Sequence, residues 1–220
     1  MASTPRTRRR HREAPRKGDL REQAILDTAE TLLTDPGPET MTVEDIARGA
    51  GISRGSLYFY FGSKNEVLTA LVTRTVMRLR DTALIPTADA GLTPREVVTR
   101  AVAATERIWH EHGPVMRTAV EYSAIVPEIG QIWSAAITVA RDAMTPILIR
   151  AGLPSGPGPT DAEALAHAMC WMTERNFYRT YVDDPGQLSR TAATCTAIWH
   201  STLPGDHDSP DSDGTPAILE

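Results

Sequence analysis

The chain has 220 residues, of which 41% are hydrophobic, and its formal net charge is −5. It contains no run of about 18 apolar residues and no apolar signal segment near its N-terminus, which argues against a membrane span or secretion and predicts a cytoplasmic protein. Only two cysteines, Cys170 and Cys195, are present, which argues against a disulfide scaffold.

The charge is distributed unevenly, and for a nucleic-acid partner the distribution matters more than the sum. Residues 1–18 carry a local charge of +6 and are predicted to form a disordered basic arm. Such an arm is either a solubilising tail or a contact to DNA phosphates and the minor groove. Residues 204–220 contain five acidic side chains and no basic one, and they are predicted to be a disordered acidic tail.

Residues 19–64 are predicted to form three helices, the last two arranged as a helix-turn-helix. The first helix runs from a cap at about Asp19 to the turn D-P-G-P. The second begins at Thr42, close to a capping box, and Gly51 supplies the tight turn that follows it. Ser53 can then cap a third helix. Two short helices joined by such a turn place the second of them in a DNA major groove, so this segment is predicted to be a DNA-binding domain.

Residues 65–203 are predicted to be a larger helical domain, because no segment alternates convincingly at period 2. Capping-box spacing predicts three helix starts here, at Ser63-Lys64-Asn65-Glu66, Thr93-Pro94-Arg95-Glu96 and Thr160-Asp161-Ala162-Glu163. Gly113-Pro114 is predicted to end one helix, so that a shorter one covers Val115–Ser123. Further helices are predicted to begin at Pro127, with a kink at Pro146, and at Leu188. The fold class is therefore all-α.

The third helix has an outward face suited to reading DNA. Arg54 is the best candidate for a base contact, because its fork matches guanine O6 and N7. Ser53 and Ser56 can donate to a phosphate or a base edge, and Gly55 lets the backbone approach the duplex. Phe59 either touches a thymine methyl or packs beside its neighbour, and packing is slightly favoured.

These same residues resemble the DNA-binding domain of the TetR family of regulators. The matching motifs are T-V-E-D-I-A, A-G-I-S, R-G-S-L-Y-F-Y-F and S-K-x-E-V-L. The resemblance implies phosphate contacts by Thr42, Tyr58, Tyr60 and Lys64. Two of these, Thr42 and Lys64, also stand at predicted helix N-termini, where backbone N–H groups favour anions.

Within that family the chain resembles the EthR-like repressors, through G-I-S-R and through M-T-E-R near Met172, a variant of their M-N-E-R. The resemblance implies a long, largely aromatic ligand cavity, with matching positions at Thr105, Trp109, Trp133, Ile137, Cys170, Thr173, Tyr178 and Trp199. Cys170 and Thr173 replace asparagine amides of those repressors, while Thr105 and Ala140 replace large aromatics. The effector is thus expected to be a different apolar or amphipathic small molecule. Without the resemblance, the aromatic residues are explained more simply as helix packing.

The predicted function is a ligand-responsive transcriptional repressor that binds double-stranded DNA. Family and geometry imply a homodimer on a palindromic operator, with one or several dimers per operator. The helices 161–181 and 188–202 would form its interface, or else pack only within one chain. The sequence shows no catalytic constellation and no cofactor motif. His110-Glu111-His112 does not have metal-ligand spacing, because two side chains at i and i+2 diverge on a helix. An activator, or a DNA-binding architectural protein that ignores ligands, is the alternative.

Overall fold

The computed structural model describes residues 17–35, 37–83, 87, 89 and 91–204. Over these residues the chain is all-α, as predicted, and has no strand. Its helices are α1 (Lys17–Thr34), α2 (Val43–Gly49), α3 (Arg54–Tyr60), α4 (Lys64–Ala83), α5 (Pro94–Tyr122), α6 (Pro127–Arg150), α7 (Ala162–Asp183) and α8 (Leu188–Ser201). Three predicted features lie outside the described residues. They are the basic arm up to residue 16, the acidic tail from residue 205, and Ile85-Pro86, which was predicted to end α4.

The chain divides into two compact units, and the division falls within α4, between Leu68 and Thr69. In the first unit α2 packs against both α1 and α3. Ile25 of α1, Ile46 of α2 and Leu57 of α3 are fully buried. Burial of such side chains contributes about 1.5–3 kcal/mol each, which holds three short helices in one arrangement.

Side-chain caps fix the ends of the two short helices as predicted. Thr42 Oγ1 accepts the N–H of Asp45 at 3.2 Å, and the Asp45 carboxylate accepts the N–H of Thr42 at 3.0 Å, which completes a capping box. Ser53 Oγ accepts the N–H of Ser56 at 3.1 Å at the start of α3. Gly51, in the turn between them, has a φ of 65°, a left-handed conformation that glycine adopts without a steric penalty.

In the second unit, α5, α6, α7 and α8 form a helical bundle in which α6 packs on α7 and α5 packs on α8. Trp109 of α5, Ile129 and Leu148 of α6, Phe177 of α7 and Leu188 of α8 are the large side chains at its centre. Each is at most 1% exposed, so the aromatic residues of this unit are partly core residues.

α5 has both features predicted for it. Its start is confirmed, because Thr93 and Glu96 form a complete capping box. The predicted break is present as a kink at His112, where the backbone is non-helical with φ −131° and ψ 26°, so that two helical segments meet there. The second segment continues to Tyr122. The bend lies just before Pro114, which has no N–H to donate and whose ring crowds the preceding turn.

Two predicted helix starts are wrong in detail. α1 begins at Lys17, so Asp19 lies inside its first turn instead of capping it. α7 begins after Asp161, and the predicted box starting at Thr160 does not form. Asp161 Oδ2 instead accepts the N–H of Gly158 at 2.8 Å, so its carboxylate stabilises the preceding loop. α6 continues as one helix through Pro146, where a kink was predicted.

By length and composition, α6 is the one helix in the described part of the chain that could cross a membrane. Such a single helix is weak evidence, because helices of soluble proteins pass the same test. α6 carries the charged pair Arg141 and Asp142, with Arg141 Nη1 also 3.6 Å from the carboxylate of Glu163. Charged side chains within a membrane-spanning helix are energetically unfavourable in the interior of a bilayer.

Candidate DNA-contacting helix and ligand cavity

The outer face of α3 brings together most of the residues predicted to contact DNA. Leu57 is fully buried, which turns Arg54, Gly55 and Ser56 to the exposed side. The hydroxyls of Ser53 and Ser56 lie 2.9 Å apart at the start of the helix. A fixed cap and a buried anchor therefore hold this short helix with its polar side outward.

Arg54 is held by its neighbour one turn along. Its Nη2 donates to Tyr58 Oη at 3.1 Å, and its guanidinium carbon lies 5.5 Å from the centre of the Tyr58 ring. The hydrogen bond to Tyr58 is the main cause that raises the pKa of Arg54 above its usual value. The side chain is thus charged, exposed and restrained by Tyr58.

Gly55 is not required by the packing of the first unit. A Cβ at this position would meet only Ser53 Oγ, at 3.9 Å, and its backbone conformation is ordinary. Glycine inside a helix costs roughly 0.5–1 kcal/mol relative to alanine. A position that sacrifices stability without an internal reason is consistent with a close external partner, such as a DNA backbone.

Two of the predicted phosphate contacts have internal partners. Lys64 Nζ donates to the backbone carbonyls of Pro38 at 3.0 Å and of Glu39 at 3.3 Å. Thr42 Oγ1 donates to Asp45 Oδ2 at 2.6 Å, a bond that is the main cause lowering the pKa of Asp45. Both residues stabilise the entry to a helix, and a phosphate contact by either remains a prediction.

Phe59 is the most exposed large apolar side chain in the described part of the chain, at 84%. Its ring meets the edge of Tyr60 at a centroid distance of 5.3 Å. Tyr60, a predicted phosphate contact, is half-buried beneath it. The favoured packing role therefore accounts for only a small part of the Phe59 surface.

The second unit contains an apolar cavity of about 120 Å³, lined by α5, α6, α7, α8 and the last turns of α4. Most of the predicted ligand-binding residues line it, namely Thr105, Trp109, Trp133, Ile137, Cys170, Thr173 and Trp199. Tyr178 does not line the cavity: its hydroxyl donates to Glu121 at 3.3 Å and its ring lies beside Arg175. Ala140, the other departure from the EthR-like pattern, also lies in the wall.

Several polar groups of the cavity wall are already engaged. Trp199 Nε1 donates to Thr173 Oγ1 at 2.9 Å, and Thr105 Oγ1 donates to the carbonyl of Ala101 at 3.0 Å. Burial raises the pKa of the Cys170 thiol to about 12. This cysteine is thus a neutral, weakly polar group at physiological pH.

Glu174 is the cavity residue that the sequence analysis missed. Glu174 is 6% exposed, and neither of its carboxylate oxygens has a hydrogen bond of normal geometry. Arg175 Nε lies 3.6 Å from Oε2, beyond normal hydrogen-bond length. Burial is the main cause that raises the pKa of Glu174, while Arg175 and the nearby Trp133 indole reduce that shift.

An open apolar groove of about 370 Å³ adjoins the cavity between α4 and α6. Leu79, Ala83, Thr105, Ala136 and Ala140 belong to the walls of both. On the groove side, Met77 is 49% and Val139 is 39% exposed. Small side chains at positions 105 and 140 therefore leave only a thin partition between the enclosed cavity and the surface.

Among the residues that the structure describes, no group of three or more His, Cys, Asp or Glu side chains is placed to hold a metal ion. Both cysteines are buried as free thiols, one on α7 and one on α8.

Comparison with protein families gives two matches, one in each part of the chain. The family described as bacterial regulatory proteins, tetR family, matches residues 25–71, which include α2 and α3. The family described as transcriptional regulator EthR, C-terminal domain, matches residues 98–205, which include the cavity-lining parts of α5 to α8. The similarity suggested by the sequence motifs is confirmed in both parts of the chain.

Individual proteins give the same result. The chain is 33% identical over 208 residues to the HTH-type transcriptional regulator EthR of Mycolicibacterium smegmatis, covering 93% of this chain and 95% of that protein. A TetR-like transcriptional regulator from Rhodococcus sp. RHA1 superposes with a TM-score of 0.65 at 25% identity, over 86% of this chain and 97% of its own. The regulator FadR of Bacillus subtilis, solved in complex with stearoyl-CoA, shares the fold with a TM-score of 0.67 at 16% identity, over 83% and 99% of the two chains.

Proposed function

Because the chain belongs to the TetR family of bacterial regulatory proteins, DNA-binding transcriptional regulators that are not enzymes, we propose that it is a ligand-responsive repressor. It would act in the cytoplasm as a homodimer on a palindromic operator and dissociate when a small apolar or amphipathic effector fills the cavity. The relative from Mycolicibacterium smegmatis, which matches 93% of this chain, is named as the regulator EthR, and this favours an EthR-like repressor.

The observation that carries the DNA-binding part is the outward face of α3. Arg54 is exposed, charged and restrained by Tyr58, and Gly55 beside it has no internal reason to lack a side chain. A guanidinium in this position can form two parallel hydrogen bonds to a guanine edge. The bare backbone at Gly55 allows the helix to approach the duplex closely enough for that contact.

Exposed small residues on the last two helices support the homodimer. Of the alanines on α7 and α8, the helices predicted to form its interface, Ala164 and Ala168 of α7 and Ala193 and Ala197 of α8 are exposed in the single chain. The remaining ones are buried within it: Ala162, Ala166 and Ala192. Ile198 is also 39% exposed on α8. Exposed alanines let helices of two chains approach closely, and a dimer is what a palindromic operator requires.

The cavity supports the ligand-responsive part. It is apolar and lined by three indole rings, like pockets that bind small molecules. At about 120 Å³ it is smaller than typical ligand pockets, so a larger effector would have to extend through the partition into the adjoining groove. The acyl-chain ligand of the FadR structure, stearoyl-CoA, shows that a protein of this fold can bind such a molecule.

The proposed mechanism is a shift of population between two states. An effector that binds one state more tightly moves the equilibrium by no more than its difference in affinity for the two. In the favoured state, the two copies of α3 would be wrongly spaced for successive major grooves. α4 would transmit the change, because the last turns of this continuous helix line the cavity.

The decisive experiment selects duplex DNA from a random pool with the full-length protein and then tests variants on the selected sequence. Arg54→Ala should lower affinity for the selected DNA by about 1–3 kcal/mol and leave affinity for scrambled DNA nearly unchanged. Arg107→Ala, which removes an exposed arginine of α5, is the matched control and should change neither. Equal losses on both DNAs would reassign Arg54 to phosphate contact. A monomeric protein that binds no duplex at low ionic strength would refute the proposal, and DNA binding that no ligand alters would favour the architectural alternative.

A further inference from the structure

The cavity wall contains one buried carboxylate, that of Glu174, which its neighbours Arg175 and Trp133 satisfy only in part. This α7 side chain is more than nine-tenths buried, and both of its oxygens lack a hydrogen-bond partner. Arg175 approaches Oε2 only to 3.6 Å, is itself 56% exposed, and also lies 5.3 Å from the centre of the Tyr178 ring. Burial of a carboxylate without hydrogen bonds is unfavourable, so such a group either binds its proton more tightly or pairs with a cation.

The surroundings of this carboxylate favour a cation over other compensating groups. The indoles of Trp109, Trp133 and Trp199 line the same cavity. Aromatic faces attract cations, and cages of aromatic rings recognise ammonium groups. The Trp199 N–H is bonded to Thr173, and the Trp133 indole, which lowers the pKa of Glu174, makes no hydrogen bond of normal geometry to either oxygen.

Two other polar side chains of the cavity wall are poor donors. The Thr173 hydroxyl offers at most one hydrogen and accepts the Trp199 N–H. Cys170 contributes only a weak thiol donor.

We propose that the effector carries a protonated nitrogen, which pairs with Glu174 among the three indoles, on an apolar body that fills the rest of the cavity. This inference rests on the proposed ligand-responsive function and names the chemical class of its ligand. Folding has already removed the carboxylate from water, so an incoming ammonium gains the full interaction without that cost. A carboxylic acid would bring a second negative charge into the site, and a neutral alcohol would donate one hydrogen bond without balancing the charge.

The dimensions of the site restrict the apolar body. The cavity of about 120 Å³ holds a short alkyl chain or a single small ring. A longer chain can continue past Thr105 and Ala140 into the groove between α4 and α6. The inferred ligands are therefore primary or secondary amines with one apolar arm.

The test compares three probes of nearly equal length on the full-length protein at neutral pH, n-hexylamine, n-hexanol and hexanoic acid. Binding is followed by intrinsic fluorescence, because three of the four tryptophans of the chain line the cavity. We expect the amine to bind about tenfold or more tightly than the alcohol, and the acid to bind most weakly. Equal or tighter binding of the alcohol or acid, or no binding of any probe, would overturn the proposal without recourse to a variant.

Variants then test whether Glu174 causes the tighter binding of the amine. Glu174→Gln should reduce amine affinity to that of the alcohol and leave alcohol affinity within about twofold, with the fold checked by circular dichroism. Glu163→Gln, the same change at a 63% exposed position of α7, should retain the full amine preference. An amine preference that survives in Glu174→Gln would refute the role of this residue.

The amine can also be added to the complex with the selected DNA. Glu174-dependent binding without release of DNA would support the assigned ligand class and refute the proposed regulatory mechanism. A protein that binds no DNA but retains the preference would refute the proposed function alone.

Discussion

Gly113 is the position where the structure permits the sharpest prediction of stability. A Cβ added there would lie 2.0 Å from Cε2 and 2.4 Å from Cζ of Tyr181, far inside any normal contact. The Tyr181 ring cannot move freely, because it packs on Trp109 at a centroid distance of 5.4 Å and Trp109 is 1% exposed. Overpacking of this kind costs about 1–3 kcal/mol, and alanine recovers up to about 1 kcal/mol in helix propensity. We therefore expect Gly113→Ala to lower the free energy of unfolding by about 1–2 kcal/mol, measured by urea denaturation.

A double-mutant cycle identifies the cause of this loss. In a Tyr181→Ala background the obstacle is gone, so Gly113→Ala should become neutral or stabilising. Gly18→Ala, near the start of α1, is the control, because a Cβ there has no neighbour within 4 Å and should cost nothing. A Gly113→Ala protein as stable as the wild type, or one that loses as much in the Tyr181→Ala background, would show that the contact of α5 with α7 does not depend on this glycine.

Three other substitutions test the site. Gly55→Ala should raise the free energy of unfolding by about 0.5–1 kcal/mol yet weaken binding to the selected DNA, and unchanged affinity in a gel shift would contradict the close approach. Ala140→Phe should thicken the partition between cavity and groove, so fluorescence titration should show weaker binding of n-dodecylamine with n-hexylamine less affected; equal losses would contradict it. Burial raises the pKa of Glu174 above the ordinary 4.5, against the opposing effects of Arg175 and Trp133. The folded chain therefore holds this proton more tightly than the unfolded chain, and the resulting stability is lost as pH rises through the folded pKa. Between about pH 5 and about pH 8 the wild-type Tm should fall relative to that of Glu174→Gln, and parallel curves would refute this.

Local sequence signals predicted the helices well where a cap depends only on neighbouring residues. The boxes at Thr42 and Thr93 form as their spacing indicates. The box predicted from Thr160 fails because the Asp161 carboxylate has a competing donor, the N–H of Gly158, in a loop whose path the spacing does not reveal. At Gly113-Pro114 the sequence also located the break in α5, which the structure has as a kink with non-helical backbone at His112.

The cavity was predicted through resemblance, and its polar content was not. Trp109, Trp133 and Trp199 were assigned to it by matching positions, and in the structure all three line the same cavity. Tyr178 was assigned in the same way, yet it lies outside, bonded to Glu121. Glu174 was missed because the local sequence does not reveal which of two adjacent charges the bundle buries: the glutamate side chain is 5% exposed, whereas Arg175, with Nε 3.6 Å from Oε2, is 56% exposed. A carboxylate at M-T-E-R, one residue after a predicted cavity position, was the available signal.

The Cys170 thiol bears on the proposed response to an effector. Since its pKa is about 12, the sulfur stays protonated at physiological pH, and the thiolate that attacks electrophiles is almost absent. An effector in the cavity would therefore not become attached to this sulfur. Held only by reversible contacts, it would leave as its supply is diluted, so that its occupancy would follow the present concentration of the compound.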